Sequence, residues 1–141
     1  MLRISKLTDY ATLIMSCLAS AYGQVQSATR IAELLHLSLP TVSKILKMLA
    51  EAKLVGAIRG AEGGYHLLRP AAEITLAEVI AAIEGQVAMT QCCEKTNLCA
   101  LNGTCTVRDN WRTINRMIHG FLSRVTINEM TKPLPQQDWN L

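Results

Sequence analysis

The sequence predicts a mainly α-helical fold: a winged helix-turn-helix with a small β-hairpin as its wing, followed by a long C-terminal helix. Two observations lead to this fold class. Half of the 141 residues are hydrophobic but only 4% are aromatic, so the core must be built from aliphatic side chains, a composition that favours helices over a β-sandwich. Apolar residues also recur at helical spacing in three consecutive segments, and a glycine-rich pair of short extended segments follows them.

The first three helices are predicted from apolar spacing and from capping residues. Helix 1 covers roughly residues 6–21, and helix 2 covers 28–35 with Ser27 as its N-cap. Helix 3 starts at Ser38, a favourable N-cap, and carries Pro40 in its first turn, where the missing N–H costs no hydrogen bond. The short connection between helices 2 and 3 is typical of a helix-turn-helix.

A β-hairpin and a fourth helix are predicted next. Val55–Arg59 and Tyr65–Leu68 have the composition of strands, and the glycine-rich turn between them completes a hairpin. Helix 4 begins at Thr75, where Glu78 completes a capping box, and it ends at Gly85.

The last part of the chain is predicted to be a cysteine-rich loop and a long helix. Residues 86–106 have no helical period and hold four of the five cysteines. A helix then runs from about Thr106 to Met130, ahead of a loose tail. It carries a seam of heptad type formed by Val107, Trp111, Ile114, Ile118, Phe121 and Val125. The expected units are the winged helix-turn-helix over 1–85, the cysteine loop over 86–106, the long helix over 107–132 and the tail over 133–141.

Charge is distributed unevenly along the chain. Residues 1–70 hold eight Lys or Arg against four Asp or Glu, whereas residues 71–141 hold six against seven. The basic half is therefore the candidate for contact with nucleic-acid phosphates. The sequence shows no apolar run with the length of a signal peptide or a membrane span, which predicts a cytoplasmic location, where cysteines serve as thiols or ligands rather than in disulfides.

The free face of helix 3 predicts contact with a DNA major groove. Small hydroxyl side chains and lysines lie opposite the apolar stripe, and such groups reach phosphates and base edges. The hairpin would bring Arg59 towards the neighbouring minor groove. The expected DNA-binding residues are Ser38, Thr41, Ser43, Lys44, Lys47, Arg59, Gly63 and Tyr65. The alternative is a three-helix bundle whose exposed face is basic without binding DNA.

Three evenly spaced cysteines predict a metal or cluster site. Cys93, Cys99 and Cys105 have five residues between each pair, and thiolates are soft ligands that suit iron–sulfur clusters or zinc. The closely spaced cysteine pair of structural zinc sites is missing from the sequence, which favours a cluster over zinc and over metal-free redox thiols. Cys17 lies on the apolar face of helix 1 and is expected in the core. Candidates for a fourth ligand are Cys92, Asp9, a histidine or a residue of another subunit.

The order of these pieces resembles one family over about residues 1–132. The opening Ile4–Ala11, the wing Arg59–Tyr65 and the three-cysteine loop are similar to the small winged-helix repressors of the IscR and NsrR type, which sense iron–sulfur clusters, nitric oxide or redox state. The opening is most similar to the subgroup that regulates the SUF iron–sulfur assembly operon in proteobacteria.

This resemblance implies a homodimer that pairs through the long helix and binds an inverted-repeat operator. It implies that the three cysteines hold a [2Fe–2S] or [4Fe–4S] cluster. IscR-like proteins carry a histidine ligand where this chain has Arg108, whereas NsrR-like proteins use an aspartate from the other subunit at the position of Asp9. Asp9 of a second copy is therefore the expected fourth ligand.

The function implied is a DNA-binding repressor that controls iron–sulfur assembly genes and whose operator affinity depends on the cluster. Three alternatives remain open at this point: a nitric-oxide-sensing or redox-sensing repressor of the same fold, a zinc-structured DNA-binding protein, and a helical redox protein. An enzyme is not expected, because the sequence carries no nucleophile motif and no phosphate-binding loop.

Overall fold

The computed structural model describes residues 3–96 and 99–134. Two short 3-10 turns, Ala71–Glu73 and Gln91–Cys93, lie on either side of the fourth helix. The elements in chain order are α1 Lys6–Ser20, α2 Ala28–Leu35, α3 Leu39–Glu51, β1 Val55–Ile58, β2 Gly64–Leu67, α4 Leu76–Glu84, α5 Arg108–Leu122 and α6 Ile127–Met130.

Helices α1, α2 and α3 form the N-terminal part of the core, and serine caps set where each begins. The side-chain oxygens of Ser5, Ser27 and Ser38 each accept a hydrogen bond from the backbone N–H three residues later, which satisfies an otherwise unpaired donor of the first turn. His36 ends α2 in the left-handed region with φ 53°. The largest fully buried side chains of these helices are Ile14, Met15, Leu18, Ile31, Ile45, Leu46 and Leu49.

The wing is a two-stranded antiparallel hairpin in which Val55 pairs with Leu67 and Ile58 pairs with Gly64. A third segment joins it, because the backbone groups of Gln26 and Tyr65 bond to each other at 2.8 and 2.9 Å. The hairpin is thereby attached to the chain just before α2. The strands were predicted within one residue at each end.

Helix α4 begins with the predicted capping box. Thr75 accepts from the Glu78 N–H at 3.2 Å, and the Glu78 carboxylate accepts from the Thr75 N–H at 2.8 Å. The same carboxylate pairs with Arg69 at 2.6 Å. Gly85, at φ 85°, ends the helix as predicted.

The prediction of one helix from Thr106 to Met130 was wrong. The helix begins at Arg108 and ends at Leu122, and a separate short helix, α6, begins at Ile127. Thr126 and Glu129 form a second capping box there, which starts a new helix where the heptad spacing suggests continuation.

The segment around the helix break belongs to the core of the N-terminal part. Val125 is 2% exposed and Ile127 is fully buried. The Val125 carbonyl accepts from Leu76, and the Ile127 N–H donates to Ile74, each at 2.8 Å. Val125 was therefore wrongly included in the exposed seam, because it is buried and its carbonyl bonds to the first residue of α4.

Two remaining expectations concern membranes and the tail. Within the described ranges, the helices are too short or too polar to span a bilayer. The tail predicted over 133–141 lies outside the described residues from position 135 onward.

Candidate DNA-binding surface and cysteine segment

The face of α3 that carries the predicted DNA-binding residues is exposed. Ser38, Ser43, Lys44 and Lys47 are exposed, and Thr41 is half-buried, while the opposite side of the helix packs into the core. This separation follows from the apolar i, i+3, i+4, i+7 spacing. The result is a polar, basic ridge free of intramolecular packing, as a helix that enters a major groove requires.

The first turn of α3 is held by side chains that were predicted to contact DNA. The Ser38 and Thr41 hydroxyls lie 2.7 Å apart, and Ser38 also caps the Thr41 N–H at 3.4 Å. Leu39, missed as a candidate, is 43% exposed at the same end. An apolar side chain at this position suits the methyl group of thymine, and its place outside the buried stripe is the signal that would have identified it.

The wing presents Arg59 and is built by glycines. Arg59 is exposed directly after β1. A Cβ atom on Gly63 would lie 2.3 Å from the Ile58 carbonyl oxygen, and one on Gly64 would lie 2.4 Å from the Gln26 carbonyl oxygen, so both positions require glycine for close backbone approach. Tyr65 is partly buried against the core. Gly63 and Tyr65 thus have contacts that shape the wing.

The cysteine segment contains one buried and three half-buried thiols. Cys92 is buried, whereas Cys93, Cys99 and Cys105 are half-buried. The Thr90 hydroxyl lies 3.1 Å from the Cys92 sulfur and 3.3 Å from the Cys93 sulfur. Among the described side chains, no three His, Cys, Asp or Glu groups converge at metal-binding distance. The three half-buried thiols are nevertheless soft donors of the kind that iron–sulfur clusters require.

A turn shapes the second half of the segment. The Asn102 N–H donates to the Cys99 carbonyl at 3.1 Å, and the Cys105 N–H donates to the Leu101 carbonyl at 2.9 Å. The Arg108 guanidinium then donates to the Asn102 carbonyl at 2.7 Å. Arg108 therefore closes this turn.

Further polar side chains of α5 hold the first half of the segment, and sequence reasoning missed them. Arg112 donates through Nε to the Cys92 carbonyl at 3.1 Å. Asn115 accepts from the Met89 N–H at 2.9 Å and donates to the Val87 carbonyl at 3.1 Å. Together with Arg108, these residues follow the i, i+4, i+7 spacing of one helix face.

Asp9 is exposed in the first turn of α1. Among the described residues, it belongs to no set of three or more His, Cys, Asp or Glu side chains that could hold a metal ion. Its neighbours are fixed to the end of α4, because the Glu84 carboxylate accepts from the Thr8 hydroxyl and from the Ser5 N–H. These hydrogen bonds, that of Thr8 first, hold the pKa of Glu84 below its usual value. Asp9 is thus presented to solvent on a well-anchored helix end.

Cys17 is only partly in the core. It packs against the buried hydrophobic core while remaining half-buried. Burial raises the pKa of the Cys17 thiol, and nearby Arg30 opposes this.

Comparison with known proteins adds the family. The sequence model of the Rrf2 family, described as an iron-dependent transcriptional regulator, matches residues 4–133. The transcriptional regulator IscR of Photorhabdus laumondii is 33% identical over 131 residues, which cover 92% of this chain and 79% of that protein. The transcriptional regulator NsrR of Oceanobacillus iheyensis is 31% identical over 137 residues, covering 93% of this chain and 90% of that protein.

A solved structure of a transcriptional regulator has a fold similar to that of this chain. The structure of CymR, the global cysteine regulator of B. subtilis, superposes with a TM-score of 0.74 at 29% identity and covers 93% of this chain and 97% of CymR. The predicted fold class is confirmed, and so is the expectation that the protein is not an enzyme. With its exposed helix α3 and its wing, this chain belongs to the Rrf2 family of DNA-binding transcriptional regulators.

Proposed function

We propose that the protein is a homodimeric regulator, acting as a repressor in the cytoplasm, whose operator affinity is switched by an iron–sulfur cluster. The observation that supports the proposal is the cysteine segment, which carries three half-buried thiols and whose backbone is bonded to Arg112 of α5. A family described as iron-dependent supports it.

The residues that would hold the cluster are Cys93, Cys99 and Cys105, with Asp9 of a second copy as the fourth ligand. When bound, a [2Fe–2S] or [4Fe–4S] cluster supplies a centre that responds to redox state and to small reactive molecules. A carboxylate is a harder and weaker ligand for iron than a thiolate. One carboxylate ligand would make the site labile, which suits a sensor.

The DNA interface in this proposal follows the exposed faces of α3 and the wing. Ser38, Thr41, Ser43, Lys44 and Lys47 would enter the major groove, and Arg59 would reach the adjacent minor groove. Gly63 and Tyr65 would act by shaping the wing. Two copies related by a twofold axis would read an inverted repeat, and the resemblance points to iron–sulfur assembly genes as the targets.

A second candidate is a regulator that senses oxidants through its thiols alone. The proximity of the Thr90 hydroxyl to the sulfurs of both Cys92 and Cys93 favours it. The test below separates this candidate from the first, because only the first requires iron.

The deciding experiment replaces each of Cys93, Cys99 and Cys105 by Ser and uses Cys17→Ser as the matched control. We expect each of the three variants to lose the visible absorption and the Mössbauer signal after anaerobic reconstitution. Their DNA affinity should become indifferent to reconstitution, while the control keeps both responses. A triple variant that still responds to iron and sulfide like the parent would overturn the proposal.

A further inference from the structure

We infer that Arg112 and Asn115 are positioning residues that couple the cysteine segment to α5, so that a change at the segment reaches the seam of that helix. The inference rests on the proposed function, since it assigns how a cluster at Cys93 acts on the rest of the protein. It concerns two residues that hold no cluster ligand role.

The contacts converge on the backbone just ahead of Cys93. Arg112 donates to the carbonyl of Cys92, the residue directly before it, at 3.1 Å. Asn115 uses both ends of its amide, accepting from the Met89 N–H and donating to the Val87 carbonyl at 2.9 and 3.1 Å. Because one planar amide makes both bonds, it fixes the direction of this backbone as well as its position.

These polar bonds have little apolar packing to support them. Within 86–96 and 99–106 only Cys92 is buried, and α5 has no buried residue. The location of the segment on α5 therefore depends on the hydrogen bonds, of which those from arginine are charge-assisted and strong. A displacement of Cys93 would therefore strain these same hydrogen bonds.

The geometry of α5 determines how a displacement of the cysteine segment would affect the seam. Arg112 and Asn115 follow the seam residues Trp111 and Ile114 in sequence, so the two faces lie about 100° apart around the helix. A helix moves as a rigid rod, and a displacement of one face turns or tilts the other. In a dimer paired through the seam, this motion would change the distance between the two recognition helices.

The test uses the full-length protein with and without anaerobic reconstitution by iron and sulfide. In Arg112→Ala and Asn115→Leu, we expect the ratio of DNA affinities with and without cluster to fall towards 1. DNA affinity without cluster should stay within about twofold, because neither residue lies on α3 or the wing. Loss of the visible absorption in air should be faster than in the wild type, because losing a residue that supports a metal ligand weakens metal binding by about 10- to 100-fold.

Matched variants separate coupling from a general loss of structure. Arg112→Lys keeps a cationic donor and should restore part of the affinity ratio. Asn115→Asp keeps the size and the acceptor for Met89 but loses the donor to Val87, so its ratio should be intermediate. Arg116→Ala is the control, because this exposed arginine donates to Thr113 on its own helix and should behave like the wild type.

Amide hydrogen exchange on the cluster-free protein gives an independent measurement. We expect the Met89 amide to exchange at least about tenfold faster in Asn115→Leu and at an unchanged rate in Arg116→Ala. If the wild type does not respond to reconstitution, the proposed function fails and the coupling with it. If the wild type responds and both Arg112→Ala and Asn115→Leu respond equally, the coupling alone is wrong.

Discussion

Lys44 and Lys47 are the two lysines of α3 that we propose to contact DNA phosphates. Both are exposed on the face opposite the buried stripe. Replacing either by Ala should weaken binding to a similar extent on different sequences, because a phosphate contact carries no base information. Each loss should also reduce the slope of log affinity against log salt by about 1.

Fluorescence anisotropy over a salt titration measures this slope. Lys132→Ala, an exposed lysine beyond α6, is the matched control and should leave the slope unchanged. If neither α3 variant alters affinity or slope while circular dichroism shows an intact fold, α3 is not the helix that reads DNA.

Glu84 makes the attachment of α1 to α4 dependent on pH. The hydrogen bonds from Thr8 and Ser5 lower the pKa of its carboxyl below the value of 4.5 expected for an unfolded chain. A group with a depressed pKa contributes stability that is present above 4.5 and is lost as pH falls through the folded-state pKa.

We therefore expect Glu84→Gln to be less stable than the wild type above about pH 5 and to converge with it as the pH falls further and further below 4.5. Urea midpoints between these limits and on either side of them measure the difference. Glu33→Gln, which changes an exposed carboxylate on α2, should run parallel to the wild type throughout. A constant offset at Glu84 would mean that its charge is not what joins the two helices.

At the residue scale, sequence patterns predict whether a side chain is exposed better than they predict which groups it bonds to. Helical spacing alone was enough to predict that Lys44 and Lys47 point away from the core. Arg112 and Asn115 could not be identified, because the backbone groups that they bind lie 20 to 28 residues earlier in the chain. Which backbone returns to a given helix face is decided by the tertiary fold.

At the scale of elements, local capping chemistry predicts where helices start. The bounds of α2 and the capping box of α4 follow from Ser27 and from Thr75 with Glu78. The same signature, Thr126 with Glu129, marks the start of α6. It was overlooked because the heptad spacing of α5 continues through Val125, and the two signals conflict in the sequence.

Val125→Ala tests this corrected assignment of the element. The side chain is 2% exposed in the core of the N-terminal part, so its truncation should lower the free energy of unfolding by about 1–3 kcal/mol. Denaturation at several protein concentrations provides the measurement. The loss in free energy of unfolding should be the same at each protein concentration. A loss that varies with concentration would mean that Val125 lies at an interface between copies.

On the scale of the whole molecule, α5 is a helix whose apolar side is left uncovered by the described part of the chain. Its ends are anchored, since the cysteine segment precedes it and the strand-like pairing of Thr75 with Thr126 follows it. Between these ends it contributes no buried residue. An amphipathic helix held in this way leaves its apolar side available for contact with another molecule. We propose that this molecule is a second copy of the chain.

Ile114→Glu tests the whole assembly. Trp111, Ile114 and Met117 are 37–48% exposed on α5, and full burial of a large apolar side chain contributes roughly 1.5–3 kcal/mol. A carboxylate at the centre of this surface would be buried unpaired in the dimer, a cost that should dissociate it.

Sedimentation at micromolar concentration should therefore give a dimer for the wild type and a monomer for the variant. DNA affinity should fall by at least about 100-fold, because two linked recognition helices bind with an effective concentration that separate ones lack. Arg116→Glu lies about 200° from Ile114 around the helix and should remain dimeric. A wild type that sediments as a monomer, or an Ile114→Glu variant that stays a dimer, would place the subunit contact elsewhere and leave the exposed side of α5 without the partner proposed for it.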